Sequence, residues 1–341
     1  MLSSRKLDHI RICLEEDVRP PIPSTGLGRY RFIHQALPEL NLDQIDLGTR
    51  FLGKALGAPF MISAMTGGLH AGHAINRRLA EAAAEMRIAM TVGSQRVALE
   101  DPSWAASFVV RDVAPDILLL ANLGAVQLGA GYGVEHCLRA IDMIQADGLV
   151  LHLNPLQEAL QPGGNSQFSG MLRRIERVCR ALSVPVVVKE VGYGLSREAA
   201  RQLMEAGVSA LDVAGAGGTS WSEVERHRTL DPITEQVAAQ FADWGIPTAA
   251  SILMAREGAP NLPLVASGGL VSGIDVAKCL ALGADVAGMA WPLLRPALLS
   301  SEAVMDVLRT VARTLRITMF CIGAPTIGAL QETDCLEEIG R

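Results

Sequence analysis

From Pro59 onward the chain repeats one unit: a short, nearly unbroken apolar run that ends in small or polar residues, followed by a helix-like stretch. The runs are PFMISAM (59–65), AMTVGS (89–94), DILLLANLG (116–124), GLVLHLN (148–154), VPVVVKEVG (184–192), ALDVAGAGG (210–218), LPLVASGG (262–269) and DVAGMA (285–290), eight in all. Helix-like stretches such as Ala74–Met86, Gly133–Gln145, Ser169–Leu182, Ser196–Ala206, Asp231–Asp243 and Gly273–Leu282 lie between them. A strand covered on both faces reads as a continuous apolar run, and such strands alternate with helices in parallel sheets. Eight successive units predict an α/β fold closed into a (β/α)8 TIM barrel. An open doubly wound sheet stays as the alternative, because strand order cannot be read from sequence.

The chain has 341 residues, 49% hydrophobic and 19% charged, enough for one large core. Residues 59–322 are expected to form the barrel. Residues 1–58 form an N-terminal extension with a helix around Asp8–Asp17 and a loop at RPPIPSTGLGRY, and 323–341 form a C-terminal tail expected to be partly disordered. A net charge of −6, with no basic cluster carrying aromatics, argues against nucleic acid as a partner. Six scattered cysteines without a CxxC pair give neither a disulfide scaffold nor a zinc site. The charged N-terminus is unlike a secretory signal. The longest uncharged stretch, Ile117 to Val134, carries Asn122, Gln127 and several glycines, so a strand and loop explain it better than a membrane span. The expected location is cytoplasmic.

Barrels of this kind place their sites at the C-terminal strand ends. Here those ends carry MTGG (65–68), GSQR (93–96), ANLG (121–124), HLNPLQE (152–158), KEVGYG (189–194), GAGGTSW (215–221), SGG (267–269) and MAW (289–291). Single glycine turns merely reverse the chain, but plain turns have no need of Lys, His, Asn, Gln and Glu together. The last two strand ends suit a phosphate, with Gly268 and Gly269 permitting close backbone approach and Ala290 and Trp291 offering N–H groups; Gly218 and Thr219 suit the same role. Lys189 follows VPVVV in a strand expected to be buried, where an unpaired ammonium is costly. Pairing with Glu190 is the structural alternative, made awkward because adjacent strand residues face opposite ways. A ligand able to carry negative charge, such as a reduced flavin ring, accounts for the lysine, and Asn122 could bond the same ring. His152 and Asn154 share a strand face, and Glu158 close by could hold a hard cation such as magnesium. A satisfied core histidine is the plainer reading of His152 alone. Arg5 and His9 lie one turn apart on a helix that also carries Lys6, otherwise a solvated terminus, while Arg96 at a strand end suits a diphosphate.

Assembled, these residues resemble the type 2, FMN-dependent isopentenyl-diphosphate delta-isomerases. The matching segments are RKLDHI (5–10), SAMTGG (63–68), GSQR (93–96), NLG (122–124), HLNPLQE (152–158), KEVGYG (189–194), GAGGTSW (215–221) and SGGLVSGIDVAKCLALGAD (267–285), in order over nearly the whole chain. HxNxxQE together with RKxxH is the specific part; SGG and the lysine strand are shared with other flavin barrels. The resemblance implies interconversion of isopentenyl and dimethylallyl diphosphate by a 1,3-allylic proton shift in isoprenoid biosynthesis. It implies reduced FMN, Mg2+, NAD(P)H only as flavin reductant, and a homo-oligomer, a tetramer or octamer. By motif, Arg5, Lys6, His9, Ser94, Arg96 and Gln157 would bind substrate, and Gln157, His152 and Trp221 would serve catalysis. Met65, Thr66, Ser94, Asn122, Lys189, Thr219, Gly268, Gly269, Ala290 and Trp291 would contact FMN, and Glu158 would bind the metal. One departure is Asn165, where an acidic residue is expected in many relatives; it is expected to bear on loop packing, with a weakened metal site as the alternative. At Trp291, where relatives vary, only the backbone role carries over.

Two rival readings are a flavin-dependent 2-hydroxy-acid oxidase and a non-catalytic barrel sensing a phosphorylated metabolite. The oxidase needs a late His base and an Arg, for which the chain offers only His227 and Arg256, outside any recognisable motif. The sensor explains the glycines but not Lys189, Glu158 and the basic N-terminal residues together.

Overall fold

In the computed structural model, which describes residues 2–20, 24–68 and 70–339 (the side chains of 2–5, His70 and Ala71 excepted), each of the eight apolar runs holds one strand. A short strand β1 (Tyr30–Phe32) and a hairpin of β2 (Thr49–Phe51) and β3 (Lys54–Leu56) come first. The barrel follows as β4 (Phe60–Ile62), β5 (Ala89–Thr91), β6 (Leu119–Gly124), β7 (Gly148–His152), β8 (Val186–Lys189), β9 (Ala210–Asp212), β10 (Leu264–Ser267) and β11 (Val286–Met289). These pair in chain order, all parallel, and β11 closes on β4 through Ala287↔Phe60 and Met289↔Ile62. Closure removes the open-sheet alternative.

Successive strand residues face opposite ways, and the core divides accordingly. Met61, Ala89, Leu120, Val150, Val187, Ala210, Val265 and Val286, one from each strand, pack inside the barrel. Their neighbours Ile62, Met90, Leu119, Leu149, Val188, Leu211, Leu264 and Ala287 face the surrounding helices. Fully burying a Val or Leu in either layer stabilises by about 1.5–3 kcal/mol. Two residues beyond each inner apolar position stands Ser63, Thr91, Asn122, His152, Lys189, Asp212, Ser267 or Gly288. The period of two therefore puts a layer with seven polar side chains directly on top of a dry one. That layer is the floor of the site.

The N-terminal helix runs Leu2–Glu15, starting six residues earlier than the sequence pattern suggests. Its anchor is Ile12, 1% exposed, packed with Val18, Val224 and Trp221. Trp291 Nε1 and Arg295 Nη2 cap its last carbonyls, at Cys13 (3.1 Å) and Leu14 (2.9 Å). In the Pro/Gly-rich stretch, Leu27–Arg29 form a 3-10 turn and residues 21–23 lie outside the described residues. The tail differs from expectation. It is ordered as the helix Ile327–Gln331, capped by Thr326, and as β12 (Leu336–Glu338), antiparallel to β1. Turn-forming composition does not report long-range pairing, and the pairing of Leu336 with Phe32 and the 2.7 Å Arg31–Glu337 bridge supply the missing order. No helix among the described residues is long and apolar enough to cross a membrane.

Candidate active site

A cavity of about 380 Å³ opens at the C-terminal ends of the barrel strands. The N-terminal helix covers one side of it with Lys6, His9, Ile10 and Cys13, the i, i+3, i+4, i+7 stripe of a single helical face. Lys6 Nζ donates to the carbonyls of Gly67 (2.5 Å) and Ser94 (3.0 Å). His9 Nε2 lies 3.1 Å from Glu225 Oε1, and its ring meets Trp221 edge-on at 5.1 Å. Arg5 lies on the same helix, but its side chain is outside the described residues.

On the cavity floor, His152 Nδ1 sits 2.8 Å from Asn122 Oδ1, so Nδ1 carries the proton and Nε2 is the acceptor. Surrounding protein, then the charges of Lys189 and Lys6, push the imidazole down to about 3. His152 is therefore a neutral acceptor at neutral pH. Next to it in register stands Lys189, 9% exposed. Its ammonium bonds the backbone carbonyl of Glu190, whose own carboxylate turns away to accept N–H groups of Val191, Gly192 and Tyr193 (2.5–2.7 Å). No carboxylate among the described residues forms an ion pair with Lys189. Ser63 Oγ and Thr66 Oγ1, both buried against the cavity, find no hydrogen-bond partner among the described residues. Orphaned buried hydroxyls beside an unpaired ammonium are what a bound polar heterocycle would satisfy.

Beyond β7, Pro155 starts the helix Pro155–Leu160, which carries Gln157 and Glu158. Asn154 Nδ2 donates to Gln157 Oε1 (3.1 Å) and Glu158 Oε1 (3.2 Å). Gln161 Nε2 and the Asn165 backbone N–H hold Glu158 Oε2, each at 2.6 Å. Asn165 thus meets the carboxylate through its backbone, while its side chain accepts from Gln167 N at 3.0 Å. The amide in place of an acid leaves the Glu158 contacts intact. Among the described residues no three His, Cys, Asp or Glu side chains converge on a metal position. A hard cation here would rest on one protein carboxylate, with water and ligand oxygens completing its shell, the manner in which magnesium is commonly held.

Opposite lies a cradle made of backbone. A Cβ on Gly268 (φ +104°) would lie 2.1 Å from Gly215 O, and one on Gly218 would lie 2.5 Å from Gly269 N. Only glycine permits this packing. Ala290 caps the helix Trp291–Leu299, whose N-terminus faces the same cavity, the arrangement that receives phosphate elsewhere.

Met65, Thr66, Ser94, Arg96, Asn122, His152, Gln157, Glu158, Lys189, Thr219, Trp221, Gly268, Gly269, Ala290 and Trp291 all line this one cavity with Lys6 and His9. Arg96 is engaged by Glu100 at 2.7 Å through Nε, which leaves its terminal nitrogens for a ligand. The oxidase rival loses its residues. Arg256 is spent on the carbonyls of Pro260 and Leu262 (3.2 and 2.7 Å) and on Asp285 (2.6 Å), His227 lies beside Glu16 at 3.9 Å, and neither lines the cavity. Sequence reasoning missed Ser63, Asp212, Ser267 and Gln161. The first three were marked by the period of two; Gln161 carried no signal.

The fold is that of a (β/α)8 barrel with its cavity at the C-terminal strand ends, and comparison with known proteins narrows the class. Residues 152–337 match the family of FMN-dependent dehydrogenases. Among solved structures, a mandelate oxidase with an FMN adduct superposes with a TM-score of 0.65 over 92% of this chain and 89% of its own, at 18% identity. A lactate oxidase from Pediococcus acidilactici gives 0.67 over 99% and 91%, at 16% identity; at such identities only the fold is shared. Isopentenyl-diphosphate delta-isomerases from Nostoc sp. and Synechococcus sp. are 50% and 52% identical, each covering 98% of this chain and 96% of the relative. One from Stutzerimonas stutzeri is 51% identical over 98% and 97%. The chain belongs to the isopentenyl-diphosphate delta-isomerase family.

Proposed function

We propose that this protein interconverts isopentenyl and dimethylallyl diphosphate by a 1,3-allylic proton shift, using reduced FMN and Mg2+, as a step of isoprenoid biosynthesis. The observation that carries the reading is the joint occupation of one cavity by two sets of residues: Lys6, His9, Arg96 and Glu158 on its walls, and Lys189 with orphaned hydroxyls on its floor. The first set suits a diphosphate and its cation, the second an electron-rich ring.

FMN fits through the glycine cradle for its phosphate and through Lys189 and Asn122 for its ring, and when bound in reduced form it supplies an electron-rich surface that stabilises cationic character on the substrate. Lys6, His9 and Arg96 neutralise and orient the diphosphate. Glu158 brings one carboxylate to the metal. Gln157, its oxygen held by Asn154, presents its amide nitrogen to the substrate. His152, neutral, offers Nε2 as a hydrogen-bond acceptor at the floor. Trp221 and the N-terminal helix exclude water from a reacting alkene. The reaction moves a proton with no net redox change, so NAD(P)H serves only to reduce the flavin. A cytoplasmic homo-oligomer, tetramer or octamer, completes the reading.

The test is an anaerobic assay of isopentenyl diphosphate with FMN, magnesium and a reductant in deuterated water. Deuterium entering the product without steady NAD(P)H consumption is expected. Oxidation of one NAD(P)H per turnover would remove the isomerase reading.

A further inference from the structure

The polar layer at the barrel mouth contains one buried acid that the reading above does not use. Asp212 ends β9 and is the in-register partner of Lys189 on β8. Residues paired in register on adjacent strands point the same way, so both side chains enter the barrel. Asp212 is 3% exposed, and Ser267, which lines the cavity, donates from Oγ to Asp212 Oδ1 at 2.6 Å. Ala214 N donates to the same oxygen at 3.2 Å. A carboxylate has thus been placed within the polar floor layer itself, buried, where an apolar residue would pack at lower cost. Burial, the largest influence, holds it above the usual carboxylate range, while the charge of Lys189, then the Ser267 hydroxyl and the Ala214 N–H, pull it back down. Among the described residues it forms no ion pair with the lysine, whose ammonium is directed by the Glu190 carbonyl and only offset in charge by Asp212.

We propose that Asp212 is a positioning residue that sets the electrostatics of the flavin site: bonded by Ser267 and beside Lys189, it tempers the positive charge the lysine offers to the flavin ring. The proposal rests on the FMN reading of this cavity. A lysine with no counter-charge would over-stabilise reduced, anionic flavin. A lysine locked in an ion pair would offer the flavin little. An in-register acid that forms no ion pair with the lysine among the described residues lies between these two.

The experiment is an anaerobic reductive titration of the FMN-loaded protein and of Asp212→Asn, which keeps the acceptor for Ser267 and removes the charge. Asp212→Asn should retain FMN and move its midpoint potential positive by roughly 30 mV, a tenfold stronger preference for the reduced form. In a Lys189→Met background the same substitution should move nothing, because a buried carboxylate without its cation takes up a proton. For an insoluble Asp212→Asn, Ser267→Ala carries the test: losing the donor favours the protonated acid and shifts the potential in the same direction. An unmoved potential in a variant that binds FMN overturns this proposal alone, as does a full shift that persists without Lys189. Failure of the unsubstituted protein to bind FMN overturns the cofactor reading and this proposal with it.

Discussion

Glu158 shows how little of a carboxylate's surroundings a motif conveys. Its two oxygens take three donors, from Asn154, Gln161 and the Asn165 backbone. Glu158→Gln keeps the shape but sets an amide N–H₂ against those donors and removes the negative charge. Turnover at limiting magnesium should fall at least tenfold, about 1.4 kcal/mol, while FMN absorbance of the purified protein stays unchanged; full activity at limiting magnesium would show the metal assignment to be wrong. His152 makes a second residue-scale case. Its folded-state value near 3 lies below the ordinary 6.5. The unfolded chain therefore takes up a proton that the native protein refuses, and stability is lost as pH falls from about 6.5 toward 3. Thermal melts from pH 7 to 4 should drop more steeply for the unsubstituted protein than for His152→Gln. Equal slopes would place the ring in a wetter setting than the structure gives it. The HxNxxQE spacing was legible from sequence; the neutrality of the histidine was not, because it depends first on burial by the folded chain and then on two lysines from β8 and the N-terminal helix.

Among elements, the barrel carries one construction twice. Before β6 the sequence reads Arg111, Ala114, Pro115, and before β10 it reads Arg256, Ala259, Pro260, with the same spacing. Arg111 donates to the carbonyls of Pro115 and Ile117 and to Asp147 (2.9 Å); Arg256 does so to those of Pro260 and Leu262 and to Asp285 (2.6 Å). Asp147 accepts Leu119 N at 2.9 Å and Asp285 accepts Leu264 N at 2.7 Å, so each clamp ties the entry of one strand to the turn before the next. The repeat was present in the sequence but lies outside the strand-and-helix periodicity, so eight alternating runs revealed the barrel without revealing what ties these strand entries to the next turns. Asp147→Asn and Asp285→Asn should each cost about 1–3 kcal/mol in denaturant unfolding. The two clamps belong to separate strand pairs, β6–β7 and β10–β11, so the losses should add within about 0.5 kcal/mol. Strong coupling in the double variant would mean that the clamps are not independent.

At the scale of the whole molecule, the ends of the chain hold the mouth of the barrel. β12 pairs with β1, the turn at Leu27–Arg29 leads back from β1, and Thr25 then lies over the cradle. A Cβ on Gly217 would meet Thr25 N at 2.4 Å, one on Gly269 would meet Thr25 Cγ2 at 2.6 Å, and Thr25 O accepts Ala249 N at 2.9 Å. Sequence patterning showed the extension and the tail as appendages, because periodicity reports what a segment does with its own neighbours and β1–β12 pairs residues about 300 positions apart. The physical consequence is a path from β12 to the glycine cradle that never enters the barrel core. Ending the chain after Asp334 removes β12 and leaves every barrel strand and its buried layers in place. Far-UV circular dichroism should change little, whereas FMN affinity should weaken severalfold, because the strap that presses on Gly217 and Gly269 loses its outer support. Equilibrium dialysis of FMN against the truncated protein measures it directly. An affinity equal to that of the intact chain would mean that Thr25 is held by Ala249 alone and that the tail serves only its own stability.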